Sequence, residues 1–324
     1  MYSWDDDTSD WAKPGSYAFA PAAAPMRAAE AARAAAAGPR TYADKGGPDA
    51  QLVDPKKHIE SRSKNPIVVA VDVTGSMQRW PFEIFDRLPL LYNTLSGYRG
   101  DVEISFAAIG DAGCDRWPLQ VTDFSKGFSL EGQVKALYGE GGGGDLPESY
   151  GLFALWADTH VKTPNADHPF MIVFGDAPMH ETIPAGQVGH FLGDAAQDMD
   201  AVTVWNRLAA KWNIWFLRRP GGARGDATDA QWGRAIGPQQ VVHMDDELRA
   251  VDYAMGLIAR SWGHFGDFKE NMAARQDPTK IKQLEDRLGE VKPRVLACPS
   301  CTAPIPVTAV GRFTCGYCHS TLQL

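Results

Sequence analysis

Short apolar runs alternate with helical stretches across residues 64–263, and this alternation is the main structural signal in the chain. The apolar runs are continuous, which is typical of strands that a parallel sheet buries on both faces. Strands are predicted at 67–71, 102–109, 170–174, 213–217 and 240–244. Helices are predicted at 81–97, 130–138, 147–161, 199–212, 228–236 and 245–262. The pattern predicts an α/β domain with a Rossmann-like, doubly wound, mostly parallel sheet.

Three places depart from this alternation. The segment 117–124 follows a strand without an intervening helix, so we expect an antiparallel strand at the sheet edge. Pro89 is expected to kink or break the helix that contains it, because proline removes a helical hydrogen bond. The segment 182–198 has no clear period and is interpreted as a surface insertion.

The composition changes along the chain and divides it into four parts. Residues 1–62 are rich in Ala and Pro and are predicted to be a disordered tail, with a short helix across 26–37 as the alternative. The α/β domain covers 63–264. Residues 265–292 are charged, contain a predicted helix at 279–291, and are interpreted as a helical linker. Residues 293–324 form a separate small module.

The charge and cysteine content narrow the classes of partner. A net charge of −8 argues against nucleic-acid binding, which needs many basic side chains. No stretch approaches the roughly 20 apolar residues that cross a bilayer, so no membrane partner is expected. The first residues, MYSWDDDTSD, lack the features of a secretory signal. Five cysteines, four of them in CxxC pairs, fit a reducing compartment, and we expect a cytoplasmic protein.

Oxygen-bearing side chains follow two of the predicted strands. In VVAVDVTGSM, Asp72, Thr74 and Ser76 are two residues apart, so an extended backbone directs them the same way. Asp176 follows the strand in FMIVFGDAPMH. Ligands of an open parallel sheet bind beyond the carboxyl ends of its strands, and hard cations prefer oxygen ligands. These residues therefore predict a divalent-cation site at that edge.

A third acidic loop, YGEGGGGDLPES, precedes the helix predicted at 147–161. Its glycines permit tight turns, and Asp145 lies just before Pro147, where the positive end of the helix dipole would be. Asp145 is therefore predicted to cap the helix, to bind metal, or both. Glu140 and Glu148 lie nearby in the sequence.

Each of these residues also has an interpretation that involves no ligand. Thr74 and Ser76 could cap the following helix, and Asp176 could be the first residue of an Asx turn. His180, in the DAPMH turn, could approach the site, although such a histidine more often bonds only to loop backbone.

The three loops together resemble a known family. DVTGSM resembles the DxSxS motif of the metal-ion-dependent adhesion site, MIDAS, of von Willebrand factor A (VWA) domains, with Thr in the middle position. GGGGDLPES and GDAPMH are similar to the GGGD-x-PE and DAPxH segments of VWA-type alpha-kinases. The resemblance covers about three fifths of the chain. It implies that Asp72, Thr74, Ser76 and Asp176 bind Mg²⁺, or Ca²⁺ or Mn²⁺, together with Asp145.

Asp145 stands where the family usually has a threonine. A third protein carboxylate would raise the affinity for the metal and partly neutralise it, which weakens its attraction for a partner's acidic side chain. We therefore expect metal binding more firmly than ligand binding through the metal. The resemblance also implies protein partners, which for intracellular VWA proteins are often AAA+ ATPases or kinases.

The C-terminal module has the cysteine spacing of a structural zinc site. Cys298 and Cys301, then Cys315 and Cys318, form two C-x₂-C pairs separated by thirteen residues. About thirty residues cannot bury enough core to fold alone, so we expect Zn²⁺ to hold a zinc ribbon together. A disulfide pair and an iron–sulfur cluster are the alternatives. Cys114 lies outside the pairs and is predicted to be a small buried hydrophobic residue.

Two functions fit these features. The first is a non-enzymatic adaptor or scaffold that uses a cation-dependent VWA domain, with the ribbon as a second interaction module. The alternative is a Mg²⁺-dependent phosphohydrolase with Asp72 as its nucleophile. Such enzymes need a second acid two residues after the nucleophile to protonate the leaving group, and that position is Thr74.

Overall fold

The computed structural model describes residues 47–77, 80–127, 129–139, 147–167, 169–220, 225–244, 246–273, 276–290, 295–297, 304–306, 312–315 and 318–323. The strands are β1 Ile59–Glu60, β2 Pro66–Asp72, β3 Glu103–Ile109, β4 Leu119–Val121, β5 Val161–Lys162, β6 Phe170–Gly175, β7 Thr182–Ile183, β8 Met199–Asp200, β9 Asn213–Arg218, β10 Val241–His243, β11 Val295–Ala297, β12 Pro304–Pro306, β13 Arg312–Thr314 and β14 Thr321–Gln323. The α-helices are α1 Ala50–Val53, α2 Trp80–Tyr98, α3 Ser129–Ala136, α4 Tyr150–His160, α5 Ala185–Gln187, α6 Ala201–Ala209, α7 Gly225–Ile236, α8 Ala250–Trp262, α9 Phe265–Ala273 and α10 Pro278–Glu290.

The described residues form a central six-stranded sheet in the order β10-β9-β6-β2-β3-β4. All neighbouring strands are parallel except β4, which pairs antiparallel with β3 at the edge. Strands β3 and β4 follow β2 on one side of the sheet, and β6, β9 and β10 follow one another on the other side. The strand order therefore reverses between β2 and β6. The predicted doubly wound α/β sheet and its antiparallel edge strand are both confirmed.

The core lies on both faces of this sheet because the strands are apolar on both sides. In β2, Ile67, Val69 and Val71 pack into the apolar cluster that includes α2 and α8. Val68 and Ala70 pack on the opposite face with α4, α6 and α7. Every residue of β2 is buried, including the aspartate with which it ends. Because β2 is packed on both faces, the position of its last residue, Asp72, at the edge of the sheet is fixed.

Helix α2 runs through Pro89 without a break. Of the kink or break that the sequence predicted there, the break does not occur. Leu88, Leu90 and Leu91 are all buried in the core beside it. Packing of this apolar face outweighs the loss of one helical hydrogen bond, a cost of about 3 kcal/mol.

The segment 182–198 is not simply a surface insertion. It contains β7, α5 and a single π-helical turn at Val188–Leu192, which ends at Gly193 with a φ of 81°. Ile183, Val188 and Leu192 are buried in the cluster that contains α4 and α6. The segment therefore adds side chains to the core although its sequence has no regular period.

Residues on both sides of the predicted domain also pack against it. Before it, Val53 and Ile59 are buried, and β1 pairs in parallel with β5. The predicted disordered tail therefore includes folded residues from 47 to 62, and its first 46 residues lie outside the described part of the chain.

After the predicted domain, α9 and α10 pack on α8, so they do more than connect the domain to the C-terminal residues. Phe268 and Leu288 are buried, and a Cβ on Gly256 of α8 would lie 2.4 Å from a methyl carbon of Leu288. The assignment of 265–292 as a linker stays a prediction, but its helices contribute side chains to the core of the α/β domain.

The C-terminal residues that the structure describes form two antiparallel pairs, β11 with β12 and β13 with β14. Short strands were predicted in this module. Across the described residues, none of the helices has the length and apolar character that crossing a membrane requires.

Candidate functional site

Asp72 and Asp176 lie at the carboxyl edge of two neighbouring parallel strands. Asp72 is the last residue of β2, and Asp176 directly follows β6. These are the strands between which the sheet order reverses. A crevice opens at that point in doubly wound sheets because the connections leave in opposite directions, and ligands bind there. The two predicted residues are therefore placed where the fold favours a site.

The Asp72 carboxylate is fully buried and held by hydrogen bonds on both oxygens. Its Oδ1 accepts from the backbone N of Thr74 at 2.9 Å and from the Thr74 hydroxyl at 2.7 Å. Its Oδ2 accepts from the Tyr150 hydroxyl, which reaches it from the first turn of α4. These bonds fix the orientation of the carboxylate and link the end of β2 to the start of α4.

Hydrogen bonds continue from Asp72 to Asp176 through the two hydroxyl residues. The Thr74 and Ser76 hydroxyl oxygens are 3.3 Å apart, and Ser76 Oγ donates to Asp176 Oδ1 at 2.9 Å. Thr74 is buried, whereas Ser76 is exposed on a short 3₁₀ turn. All four predicted oxygen-bearing side chains thus belong to one connected cluster, which we call the rim cluster.

Glu148 joins this cluster from the loop before α4, although the sequence argument placed it only nearby. It is 2% exposed, and its Oε2 has no hydrogen-bond partner among the residues that the structure describes. Thr74 is close enough to interact with the carboxyl group, and Asp72 acts on it through its charge. An unpartnered, buried carboxyl oxygen is costly, and a cation is one way to satisfy it.

Burial and mutual repulsion raise the pKa values of these acids. Burial and, to a smaller extent, the charge of Asp176 raise the pKa of Asp72 to about 7, although the hydrogen bonds from Tyr150 and Thr74 act to lower it. Burial and the charges of Asp72 and Asp111 raise the pKa of Glu148 to about 10. Burial also raises the pKa of Asp176. The cluster is therefore an environment that disfavours negative charge without a counter-ion.

Two arginines at the end of β9 supply some positive charge. Arg219 donates to the Ser76 carbonyl oxygen at 2.5 Å, and both Arg218 and Arg219 lower the pKa of Asp176. Arg218 also bonds to the Asp229 carboxylate at 2.7 Å. These charges act on the Asp176 side of the cluster. The main charge effects on the pKa of Glu148 instead come from acids, Asp72 and Asp111, which raise it.

Tyr150 is positioned by close packing under the rim. Its ring packs edge-on against Trp232, at a centroid distance of 5.1 Å, and Trp232 stacks on Phe216 at 4.0 Å. A Cβ on Gly175 would lie 2.2 Å from the Tyr150 hydroxyl oxygen. The absence of a side chain at Gly175 is therefore what lets the hydroxyl reach Asp72.

A second group of polar residues lies beside the rim cluster. Asp111 follows β3 and is 1% exposed. Its Oδ1 lies 2.7 Å from His180 Nε2 and accepts from Ser149 Oγ at 3.2 Å. The His180 side chain was expected to contact metal or loop backbone, but its described bond is to this carboxylate. Asp111 and Ser149 were not identified from the sequence.

The oxygen donors of the rim cluster fit a hard divalent cation in type, since carboxylates and hydroxyls are the ligands such ions prefer. Within the described ranges, no group of three or more His, Cys, Asp and Glu side chains is arranged to hold a metal. The rim cluster would bind a cation through the hydroxyls of Ser76 and Thr74 together with two carboxylates, so it does not need three His, Cys, Asp or Glu ligands. Asp145, the fifth predicted ligand, lies outside the described residues.

The cysteine site is described only in its second half. Cys315 is buried, and two backbone hydrogen bonds join it to the residues that follow Cys318: His319 N donates to the Cys315 oxygen at 2.9 Å, and Cys315 N donates to the Ser320 oxygen at 3.0 Å. His319 takes a positive φ of 57°. Cys298 and Cys301 lie outside the described residues.

Cys114 was predicted to be buried, and this was wrong: it is exposed. It lies in a turn after β3, where its Sγ is 3.4 Å from an Asp111 carboxylate oxygen. The prediction relied on the general tendency of free cysteine to be buried, which a polar loop can override.

No known family model matches the chain, and no curated protein sequence matches it. Among solved structures, the pilus adhesin SpaC from Lactobacillus rhamnosus GG, in its open conformation, aligns with a TM-score of 0.44 and 10% identity over 66% of this chain and 31% of the adhesin. Proximal thread matrix protein 1 from the mussel byssus aligns with a TM-score of 0.42 and 9% identity over 63% of this chain and 49% of that protein.

The VWA domain of SpRpn10 aligns with a TM-score of 0.38 and 11% identity, over 59% of this chain and 94% of that domain. The chain thus spans about a third of the length of the adhesin and about half that of the mussel protein. At this degree of likeness, function has to be argued from the side chains of the rim cluster and their surroundings.

Proposed function

We propose that this chain is a non-enzymatic protein-interaction protein, an adaptor or scaffold, whose α/β domain is of the VWA type. A divalent cation, Mg²⁺ or alternatively Ca²⁺ or Mn²⁺, binds at the MIDAS-like rim cluster. The C-terminal zinc ribbon is its second interaction module. The partners are proteins, such as an AAA+ ATPase or a kinase, and the compartment is the cytoplasm.

The observation that carries the cation proposal is the buried acid at the rim. Asp72, Asp176 and Glu148 are at most 5% exposed, and one Glu148 oxygen has no partner in the described part of the chain. Burying carboxylates is costly unless a positive charge compensates them. A cation at the rim supplies that charge and favours the ionised acids.

Within the proposed site, the residues have different roles. Ser76, Thr74 and Asp176 offer oxygen atoms to the cation, and Asp145 is the proposed ligand from the glycine-rich loop. Asp72 orients the Thr74 hydroxyl, because its Oδ1 accepts from both the backbone and the side chain of that residue. The cation, when bound, supplies positive charge that holds the loops after β2 and β6 together.

The phosphohydrolase alternative requires Asp72 to attack a substrate. Asp72 is fully buried, and both of its oxygens accept hydrogen bonds. A nucleophile in that state has no open approach for a phosphorus atom, and Thr74 cannot protonate a leaving group. A Mg²⁺-dependent phosphatase and nucleotidase screen tests this alternative, and turnover that Asp72→Asn abolishes would overturn the binding function.

The cation site is tested by thermal melting of the full chain in EDTA and in excess Mg²⁺. A ligand at about 100 times its Kd stabilises the fold by roughly 2.7 kcal/mol, so the wild type is expected to melt several degrees higher with Mg²⁺. Asp176→Asn is expected to abolish this rise while the protein stays folded in EDTA. Asp72→Ala is a less clean variant, because it also leaves the buried Tyr150 hydroxyl without an acceptor.

Asp167→Asn is the matched control. Asp167 lies before β6, at the opposite end from the rim, and is an exposed ion-pair partner of Lys64. This variant should keep the full Mg²⁺ response. An identical melting rise in wild type and Asp176→Asn would contradict the proposed site.

The interaction role needs its own experiment. Affinity capture with mass spectrometry, with Mg²⁺ and with EDTA, should recover proteins with the wild type that are lost both in EDTA and with Asp176→Asn. Equal recovery of partners by wild type with Mg²⁺, by wild type in EDTA and by Asp176→Asn would show that partner binding does not use the rim cluster.

A further inference from the structure

Three loops at the carboxyl edge of the sheet are fastened to one another by side chains that the proposed site does not use. They are the loop after β3, the loop before α4 and the loop after β6. Asp111, Ser149 and His180 provide one side chain from each, and we call these three residues the rim clamp. The last two loops also carry Glu148 and Asp176 of the proposed site.

The contacts of the rim clamp converge on one buried oxygen. Asp111 Oδ1 lies 2.7 Å from His180 Nε2 and 3.2 Å from Ser149 Oγ. Because an ionised carboxylate only accepts, Nε2 carries the proton in this bond. Ser149 Oγ in turn accepts from the backbone N of Ala112 at 2.8 Å. Asp111 and Ser149 are 1% and 4% exposed, so their side of these bonds is shielded from solvent.

Backbone bonds tie the same loops directly at Glu148. Its N donates to the Pro178 oxygen at 2.9 Å, and its oxygen accepts from His180 N at 3.2 Å. Glu148 is therefore held between the loop that contains Asp176 and the side chain of its own neighbour, Ser149. The rim clamp therefore contains both the residue whose backbone N donates to the Glu148 oxygen, His180, and the residue that follows Glu148 in the chain, Ser149.

We infer that the rim clamp is a positioning device that fixes Glu148 beneath the rim cluster and thereby sets the affinity of the site for its cation. This inference rests on the proposed cation site. His180 acts through Asp111 and Glu148 rather than by touching the ion. Its imidazole is about one third exposed, so it is the accessible member of an otherwise buried set.

The test is isothermal titration of the full-length chain with Mg²⁺, well below the melting temperature of each variant. His180→Ala is expected to raise the Kd about tenfold, because it removes the bond to a buried carboxylate. His180→Gln, which keeps a donor, should recover binding to within about threefold of wild type. Ser149→Ala serves if His180→Ala does not fold, and should weaken binding in the same direction.

His264→Ala is the matched control. His264 also bonds to an aspartate, Asp267, at 2.8 Å, but it lies between α8 and α9 and stacks on Tyr98 of α2, away from the rim clamp. Its loss should leave the Kd unchanged. This separates an effect on the site from the general effect of removing a histidine–aspartate bond.

A double-mutant cycle with Glu148→Gln distinguishes positioning from general weakening of the fold. If the rim clamp acts through Glu148, His180→Ala should change the Kd little further in the Glu148→Gln background. Additive effects would overturn the inference. Equal Kd values for wild type and His180→Ala would also overturn it while leaving the cation site in place, whereas a wild type that binds no Mg²⁺ would refute the proposed function itself.

Discussion

At the scale of single residues, Asp72 is better described as the organiser of the rim than as an open ligand. One of its oxygens orients Thr74, and the other accepts from Tyr150. The Asp72, Thr74 and Ser76 spacing was readable from the sequence because it is local and lies at the end of an apolar strand. Tyr150 and Glu148 were not, because they meet Asp72 only when α4 packs under the sheet.

The acids of the rim make stability depend on pH in the metal-free protein. Where a folded-state pKa is raised, the folded protein keeps a proton that the unfolded chain has lost, so the free energy of unfolding falls as pH rises. With a pKa of about 7 for Asp72 and about 10 for Glu148, the fall should extend from about pH 4 to beyond pH 9.

Glu148→Gln should flatten this dependence between pH 7 and 9. In that range the folded protein keeps the Glu148 proton that the unfolded chain has lost, whereas Asp72 is largely ionised in both states. One proton corresponds to at most about 1.4 kcal/mol per pH unit. Urea melts in EDTA across this range provide the measurement, and Glu60→Gln, an exposed acid paired with Arg62, is the control. A slope that survives in Glu148→Gln would show that other groups are responsible.

Gly175 makes a further prediction about how Asp72 is held. Gly175→Ala would put a Cβ 2.2 Å from the Tyr150 hydroxyl, so the tyrosine must move away from Asp72. We expect a loss of about 1–3 kcal/mol in the free energy of unfolding, measured by denaturant melts. Gly97→Ala in α2, where a Cβ meets nothing within 4 Å, should be neutral or stabilising.

At the scale of helices and strands, periodic apolar patterns were sufficient to predict the sheet and its covering helices. They were insufficient where few apolar side chains are spread over a polar segment. Ile183, Val188 and Leu192 do not follow a helical or strand period, yet all three are buried. Val188 and Leu192 lie in a single π-helical turn that ends at Gly193, where glycine readily adopts the positive φ of 81°.

The packing of α10 on α8 predicts that the segment after the α/β domain stabilises it. Leu288→Ala should lower the free energy of unfolding of this domain by about 2–5 kcal/mol, because Leu288 is fully buried against Gly256. Gln283→Ala, at an exposed position of the same helix, should cost little. Equal denaturation midpoints for the two variants would mean that α10 is only a connector.

At the scale of the whole molecule, a small module of 32 residues, 293–324, is predicted to follow the sheet-based domain. The small module was predicted from its cysteine spacing, and its zinc site stays a prediction. The other cysteine pair, Cys298 and Cys301, lies outside the described residues, and its role as a zinc ligand pair is predicted from the spacing of the cysteines.

Elemental analysis should therefore find about one zinc per chain. Cys315→Ser should lose this zinc while Cys114→Ser, which changes the exposed cysteine outside the pairs, should retain it. The Asp176→Asn variant should also retain it, because the two proposed metal sites would use different ligands. A zinc-free protein whose C-terminal strands still form would rule out the ribbon.

Trp232 gives the molecule an internal optical signal. Its indole nitrogen donates to the Ala177 oxygen at 3.1 Å, one residue after Asp176, and its ring touches that of Tyr150 beneath Asp72. Any shift of the loop after β6 alters the surroundings of this chromophore, so its emission should change when an ion arrives. Comparison of the intact protein with Trp232→Phe isolates that contribution, and stopped-flow fluorescence can then time the event without an attached dye.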